Sequence, residues 1–381
     1  MPTVVLTLGR LPKALDIARS FGMAGWRVVV AEPMGRHLAG ASRHVARSVA
    51  VPAPVAGAAR YLAALAAVVE GEGAALVVPV SEEVLHVARL RTGARVVAPP
   101  PERVLELHDK HRFAGLARGL GLDAPETHLL GTPGGVALAA QADVVVKPVH
   151  SSGGRGVRIV RRGEALPAPP GVHAVQRLVA GEVRSTCTIA RAGVALGTAV
   201  YRGLVFDGSV AVCFERVEAP RIEAWVARLV AATGYEGFVS FDFIEDADGR
   251  PWAIECNPRT TSGLHFFETA DIAPALLEGR APRFRRERVL QQFWSVLTAA
   301  TARTFRRGYY PLLGRALSTR DVSWRRDDPW PLLSMPWAAW PILSAARRER
   351  LSFGEVATRD LDWEAPPPSQ SLADAARLTA A

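Results

Sequence analysis

Two carboxylates and a carboxamide that share one face of a short hairpin are the side chains of this sequence best suited to chemistry. They lie in GFVSFDFIEDADGRPWAIECNPRTTSGLHFF, residues 237 to 267. Two apolar runs, FVSFDFIE and WAIECN, flank the turn Asp246-Ala247-Asp248-Gly249, which has the composition of a β-hairpin. Side chains alternate along a strand, so Asp242 faces away from Phe241 and Phe243, while Glu255 and Asn257 share a face. Across an antiparallel pair the three converge. Such oxygen donors suit Mg2+, which takes one or two carboxylates together with waters and substrate phosphates. The alternative is a solvated sheet face, and the apolar character of both strands argues against it.

A second segment, DVVVKPVHSSGGRGVRIV over residues 143 to 160, reads as strand, small-residue turn, strand. Gly153, Gly154 and Gly156 let the backbone approach a phosphate, and the hydroxyls of Ser151 and Ser152 can join its N–H groups around the oxygens. Lys147 supplies a point charge from the preceding strand. By itself such a loop is either a phosphate cradle or merely a turn. Beyond the carboxylate hairpin, Thr260-Thr261-Ser262-Gly263 offers donors to a substrate or to a tetrahedral intermediate, with His265 next to it, or equally caps a helix. No Ser-His-Asp or Cys-His arrangement has a better claim to nucleophilic chemistry.

These segments need a scaffold. The first hundred residues alternate Val-rich runs (TVVLTL, WRVVVAE, ALVVPV, ARVVAP) with amphipathic stretches, the pattern of a parallel α/β sheet whose ligands sit beyond the carboxyl ends of its strands. The loop at Gly9 and Pro12 is one such edge, but GxGxxG is absent and no acidic residue is placed for a ribose. Lys13 opens the next helix, either attracting an anionic substrate or standing as a solvated helix residue.

The chain of 381 residues, 49% hydrophobic, can bury two or three cores. Its formal charge is +9. Residues 281–381 hold 16 Arg and 10 Asp plus Glu, so 16 − 10 = +6 of the excess lies there, without a nucleic-acid motif, and nucleic acid is not expected as a partner. Cys187, Cys213 and Cys256 form neither a disulfide framework nor a CxxC pattern and read as packing residues. The first residues lack the apolar core and cleavage pattern of a secretory signal, so a cytoplasmic location is expected.

A lysine strand and Gly-rich loop followed by D-x(12)-E-x-N-P-R resembles the ATP-grasp superfamily over about residues 1 to 280. The resemblance implies an α/β fold with a pre-ATP-grasp domain (1–107), an ATP-grasp domain of two α+β subdomains (108–280, lid about 122–182), and a C-terminal extension (281–381). LHDKHRFAGLARGLGLDAPET is similar to the family's entry segment, which implies that Lys110 and Lys147 contact ATP phosphates. HAVQRLVAGEVRS resembles the hinge strand, with Gln176, Arg177 and Val179 around adenine and Glu182 on the ribose. Asp242, Glu255 and Asn257 then correspond to ligands of Mg2+ or Mn2+, and Arg259, with Lys147, to the cations that steady the transferring phosphoryl group. Only Lys13, Lys110 and Lys147 among 46 basic residues are lysine. Random placement would fill both ATP positions with odds of 3/46 × 2/45, about 0.003, so lysine stands where a compact charge is wanted.

The resemblance implies a ligase that activates a carboxylate with MgATP as a phosphate anhydride and couples it to an amine such as an amino acid, releasing ADP and phosphate. Relatives also activate bicarbonate, or condense an enolised ketone with an amino acid in a branch resembling mycosporine-glycine synthases. A regulatory or scaffolding ATP-binding module without turnover is the other class. Expected partners are the small-molecule acid and amine, with a homodimer possible.

The last hundred residues lie outside the resemblance. FWSVLTAATARTFRRGYYPLLGRAL reads as helical, making the extension mainly helical, and the stretch from Arg359 as a short strand with a loosely held tail. Between them, Pro329 to Ala346 is an uncharged run near membrane-span length, but Pro329, Pro331, Pro336 and Pro341 argue against one continuous helix. Trp330, Trp337 and Trp340 within it, close to Arg347, Arg348 and Arg350, pack on the body of the chain, on a dimer or partner surface, or on a membrane surface.

Overall fold

The computed structural model describes residues 1–151, 154, 156–207, 210–296, 314, 317–349, 353–361 and 363. Five parallel strands open the chain: β1 (Thr3–Leu6), β2 (Arg27–Glu32), β3 (Val45–Ala50), β4 (Leu76–Val78) and β5 (Arg95–Val96), in the order β3-β2-β1-β4-β5. All four residues of β1 are buried, as expected of a strand covered on both faces. Helices α1 (Pro12–Met23), with Pro12 in its first turn, α2 (Ala58–Gly71) and α3 (Val84–Val87) accompany the sheet. α4 (Pro101–His108) and α5 (Lys110–Gly119) lead onward, and Asp109 caps α5 by accepting from the N–H groups of His111 and Arg112, each at 2.9 Å.

A four-stranded sheet follows, built from β6 (Thr127–Leu129), β7 (Val144–Pro148), β8 (Arg158–Val160) and β9 (His173–Arg177) in the order β6-β9-β7-β8, with α6 (Pro133–Gln141) against it. The third sheet is larger: β10 (Glu182–Arg191), β11 (Val194–Asp207), β12 (Val210–Val217), β13 (Gly237–Glu245), β14 (Pro251–Asn257), β15 (Val289–Gln291) and β16 (Arg320–Asp321). Its order is β14-β13-β10-β11-β12-β15-β16. Helix α7 (Pro220–Thr233) precedes β13, and Gly234 in the left-handed conformation ends it. Phe241 and Phe243 point from β13 into a core with Phe113 of α5 and Trp225 of α7, which leaves Asp242 on the other face. Removing either ring would cost about 3–5 kcal/mol.

Gly181 joins the four-stranded sheet to β10. A Cβ there would lie 2.2 Å from the Glu245 carbonyl oxygen of β13, so only glycine lets the chain enter β10 this close to its neighbouring strand.

Helix α8 (Thr269–Glu278) packs on α1, and a charged cluster ties the sheets together. Asp16 of α1 bonds His265 Nδ1 at 2.7 Å and the Arg285 guanidinium at 3.3 Å. In the C-terminal extension, residues 281–321 lend β15 and β16 to the third sheet, and the helices begin at Trp330: α9 (Trp330–Leu333), α10 (Met335–Ala338), α11 (Trp340–Glu349) and α12 (Phe353–Thr358). The prolines do break the uncharged run, into α9, α10 and the start of α11. Most of the stretch expected to be helical from Phe293 lies outside the described residues, as does the tail from 364. Arg359–Leu361 is a 3-10 turn instead of the expected strand. The Arg10 guanidinium grips both Asp360 carboxylate oxygens at 2.9 Å, which fixes that turn beside β1.

Candidate active site

Lys147 and the carboxylate hairpin belong to different sheets and meet. From β7, Lys147 Nζ donates to Gln176 Oε1 at 2.9 Å and to the Ile254 carbonyl of β14 at 3.0 Å. Gln176 on β9 bonds Thr127 and the same Ile254 carbonyl through its amide nitrogen. Two of the three Lys147 donors are therefore engaged, and one remains for a ligand. Burial pulls the ammonium down to about 8, against the attraction of Glu255. Lys110, which opens α5, reaches the Ser151 carbonyl and stands 3.5 Å from Glu255 Oε2.

On the hairpin, Asp242 lies opposite Glu255 and Ser240 opposite Asn257. Asn257 Nδ2 donates to Asp242 Oδ2 at 3.1 Å and to Glu255 Oε1 at 3.3 Å, and Ser185 Oγ donates to Asp242 Oδ1 at 2.6 Å. The expected convergence of Asp242, Glu255 and Asn257 is present. Burial and the facing Glu255 charge push the Asp242 carboxyl upward. Burial also acts upward on Glu255, but Lys110 and Lys147 outweigh it and hold that carboxyl low. Glu255 keeps 20% of its side-chain exposure, so it borders an open space.

Arg259 follows the hairpin. Its guanidinium donates to Glu82 at 3.0 Å and to Asn257 Oδ1 at 3.2 Å. Glu82 comes from the loop after β4, at the carboxyl edge of the parallel sheet, and no motif in the sequence marks it. From the same edge, Lys13 Nζ donates to the Thr260 carbonyl at 2.7 Å and to Ser81 Oγ at 3.3 Å. Lys13 is buried, so the reading as a solvated helix residue is corrected: those two acceptors draw it inward. Burial, with Arg259 nearby, lowers its pKa.

Arg177 and Glu182 find their partners outside this cluster. Arg177 pairs with Glu126 at 3.0 Å, and exposed Glu182 pairs with Arg184. Val179 follows β9 and is half-buried. Gly154 and Gly156 have φ of 70° and 72°, as a tight turn requires, and Ser151 lies next to Lys110. Ser152 and Gly153 lie outside the described residues. Thr260 Oγ1 donates to the Val80 carbonyl and Thr261 Oγ1 to that of Thr186, so both hydroxyls secure the loop and cap no helix. His265 is buried behind the loop on Asp16. An acidic residue does stand at the end of β2: Glu32 accepts from the Gly9 and Arg10 N–H groups at 2.9 and 3.1 Å, which occupies the donors a phosphate would need there.

A family model described as an ATP-grasp domain matches residues 109–263. The chain is 28% identical over 209 residues to the carbamoyl phosphate synthase large chain of Rubrobacter xylanophilus, a match covering 48% of this chain and 19% of that protein. It thus spans about a fifth of the length of that curated relative. Among solved structures, the biotin carboxylase domain of the Hydrogenobacter thermophilus 2-oxoglutarate carboxylase has a TM-score of 0.58 at 17% identity, covering 76% of this chain and 72% of its own. N5-carboxyaminoimidazole synthetase from Staphylococcus aureus has 0.57 at 10%, covering 74% and 78%. An L-amino acid ligase from Bacillus licheniformis has 0.56 at 15%, covering 74% and 75%. At these identities the structural likeness is one of fold. Taken with the family-model match over residues 109–263, it gives the chain an α/β ATP-grasp fold.

Proposed function

We propose that the chain is an ADP-forming ligase that activates a carboxylate with MgATP and couples it to an amine. The observation that carries this reading is the meeting of Lys110 and Lys147 with Asp242, Glu255 and Asn257 across two sheets. Nucleotide phosphates lie between the four-stranded sheet, which acts as the lid, and the β13–β14 hairpin. The two lysines neutralise phosphate oxygens from one side. The adenine lies toward Gln176, Arg177 and Val179, with Glu182 at the ribose.

A carboxylate whose proton affinity is raised by burial and by a facing carboxylate suits a divalent cation. No group of three or more His, Cys, Asp or Glu side chains suited to a metal occurs among the described residues. Asp242, Glu255 and Asn257 instead make the short donor set of a Mg2+ or Mn2+ ion that keeps waters and phosphate oxygens as its other ligands. Bound there, the ion would offset phosphate charge as a Lewis acid.

A carboxylate oxygen attacks the γ-phosphorus, the bond to the β–γ bridging oxygen breaks, and ADP departs. Arg259, held by Glu82 and Asn257, steadies the charge on the moving phosphoryl group. The amine then attacks the acyl carbon, loses a proton, and phosphate leaves. No side-chain nucleophile is needed. Enclosure between the sheets protects the acyl phosphate from water. A phosphate-release screen of carboxylic acids against amino acids, with the nucleotide product identified by mass spectrometry, tests the reading. ADP is expected; AMP and pyrophosphate would contradict it.

A further inference from the structure

The strongest feature outside the nucleotide region is a ridge of tryptophan on the C-terminal helices. Trp330, Leu333, Trp337 and Trp340 are 65%, 53%, 66% and 67% exposed. Their spacing of three, four and three residues keeps them on one side of a helix, within an arc of about 80° at ~100° per residue. The backbone holds them there. Ser334 and Ala339, between the short helices, keep right-handed helical angles. Bonds from Ser334 N–H to the Trp330 carbonyl, from Ala339 N–H to Met335 and from Leu343 N–H to Ala339, at 2.8, 2.7 and 2.9 Å, carry the helix across both junctions. Pro331, Pro336 and Pro341 interrupt the hydrogen bonding without turning the chain away.

The opposite side of this rod is already used. Ile342, Ala345 and Ala346 are buried with Val356 and Ala357, against Leu11 and Met34, and Met335 packs beside Leu15, Leu38 and Ala39. The tryptophans are therefore not needed to dock the rod. Three rings this exposed on one ridge mark an interaction surface. Arg348 falls on the same arc, Arg347 lies beside it, and both are exposed.

We propose that this ridge docks the chain on an anionic lipid bilayer, with the rod lying in the plane of the headgroups. Indole suits that depth, because the ring is apolar and its N–H stays hydrated. Arg347 and Arg348 meet the lipid phosphates. The charge of the chain, +9 overall with +6 within residues 281–381, favours an anionic surface and opposes approach of a second, equally charged copy. Among the described residues no helix is long and apolar enough to cross a membrane, so the contact is with the surface.

Co-sedimentation of the full chain with vesicles of phosphatidylcholine alone, or with phosphatidylglycerol added, tests this. The chain should bind the anionic vesicles at low salt, with a blue shift in tryptophan emission, and bind the neutral ones at least tenfold more weakly. A Trp330→Ser, Trp337→Ser, Trp340→Ser variant with unchanged thermal unfolding should lose binding at least tenfold. Arg347→Gln and Arg348→Gln should each weaken it about fivefold and flatten the salt dependence. Absence of binding to anionic vesicles, equal binding to neutral ones, or full binding by a folded triple variant would overturn the proposal. So would sedimentation velocity showing a wild-type dimer that the triple variant converts to monomer while neither binds vesicles.

Discussion

His108 ends α4 beside the candidate site and makes stability depend on pH with a definite sign. Its ring is buried and stacked on His150, with centroids 5.6 Å apart and planes 17° from parallel. Burial, joined by repulsion from Lys110, His150 and Arg259 and opposed by Glu82, pulls its pKa from 6.5 to about 3. The folded chain keeps the imidazole neutral where the unfolded chain protonates it. Because the folded value lies below the unfolded one, the stabilisation is complete above pH 6.5 and is lost as the pH falls toward 3. A gap of about 3.5 units corresponds to nearly 5 kcal/mol across the window, of which about 2 kcal/mol is lost by pH 5. His108→Gln removes the titration. Its packing penalty is the same at both pH values and cancels in the comparison. Urea unfolding of both proteins at pH 7.5 and pH 5 should show the difference between them shifting by about 2 kcal/mol in favour of the variant. A difference that stays constant would refute a neutral, buried His108.

Lys147→Met should weaken MgATP binding roughly tenfold to hundredfold, the worth of one charge-assisted hydrogen bond, and unchanged calorimetric affinity in a folded variant would remove Lys147 from the site. Asp16 is held at about 2, because Arg285 and His265 together outweigh its burial. Its folded value lies below the ordinary 3.8, so about 2 kcal/mol of stability is present above pH 4 and is lost as the pH falls to 2. Asp16→Asn should therefore cost about 2 kcal/mol more at pH 7 than at pH 2 in denaturant unfolding, and a pH-independent cost would contradict the cluster.

The parts of the site legible in the sequence were those set by local periodicity. The two-residue repeat of FVSFDFIE and WAIECN already places Asp242, Glu255 and Asn257 together, and the Val-rich runs mark β1, β2 and β4. What stayed hidden depends on contacts between distant segments. Glu82 and Arg259 are 177 residues apart, and Lys13 and Thr260 are 247 apart. No repeat or spacing marks such pairs, because the packing of the parallel sheet against the hairpin brings them together. Lys13 misled for that reason: a cation at a helix start resembles a solvated residue until its buried acceptors are in place. The one available signal was the rarity of lysine in a chain rich in arginine, and it holds for Lys13 as for Lys110 and Lys147. Arg359–Leu361 misled in the opposite way, since the Arg10–Asp360 grip comes from 350 residues away and overrides local strand propensity.

The central claim is that MgATP sits between Lys110 and Lys147 on one side and Asp242, Glu255 and Asn257 on the other. Calorimetric titration of ATP into the wild-type chain and into Glu255→Gln, each with and without Mg2+, tests it most directly. The wild type should bind one nucleotide with Mg2+-dependent affinity, and Glu255→Gln, with its fold intact, should bind at least tenfold more weakly once Mg2+ is present, with most of the metal dependence gone. Equal affinity in the two proteins, or binding indifferent to Mg2+ in both, would contradict the claim.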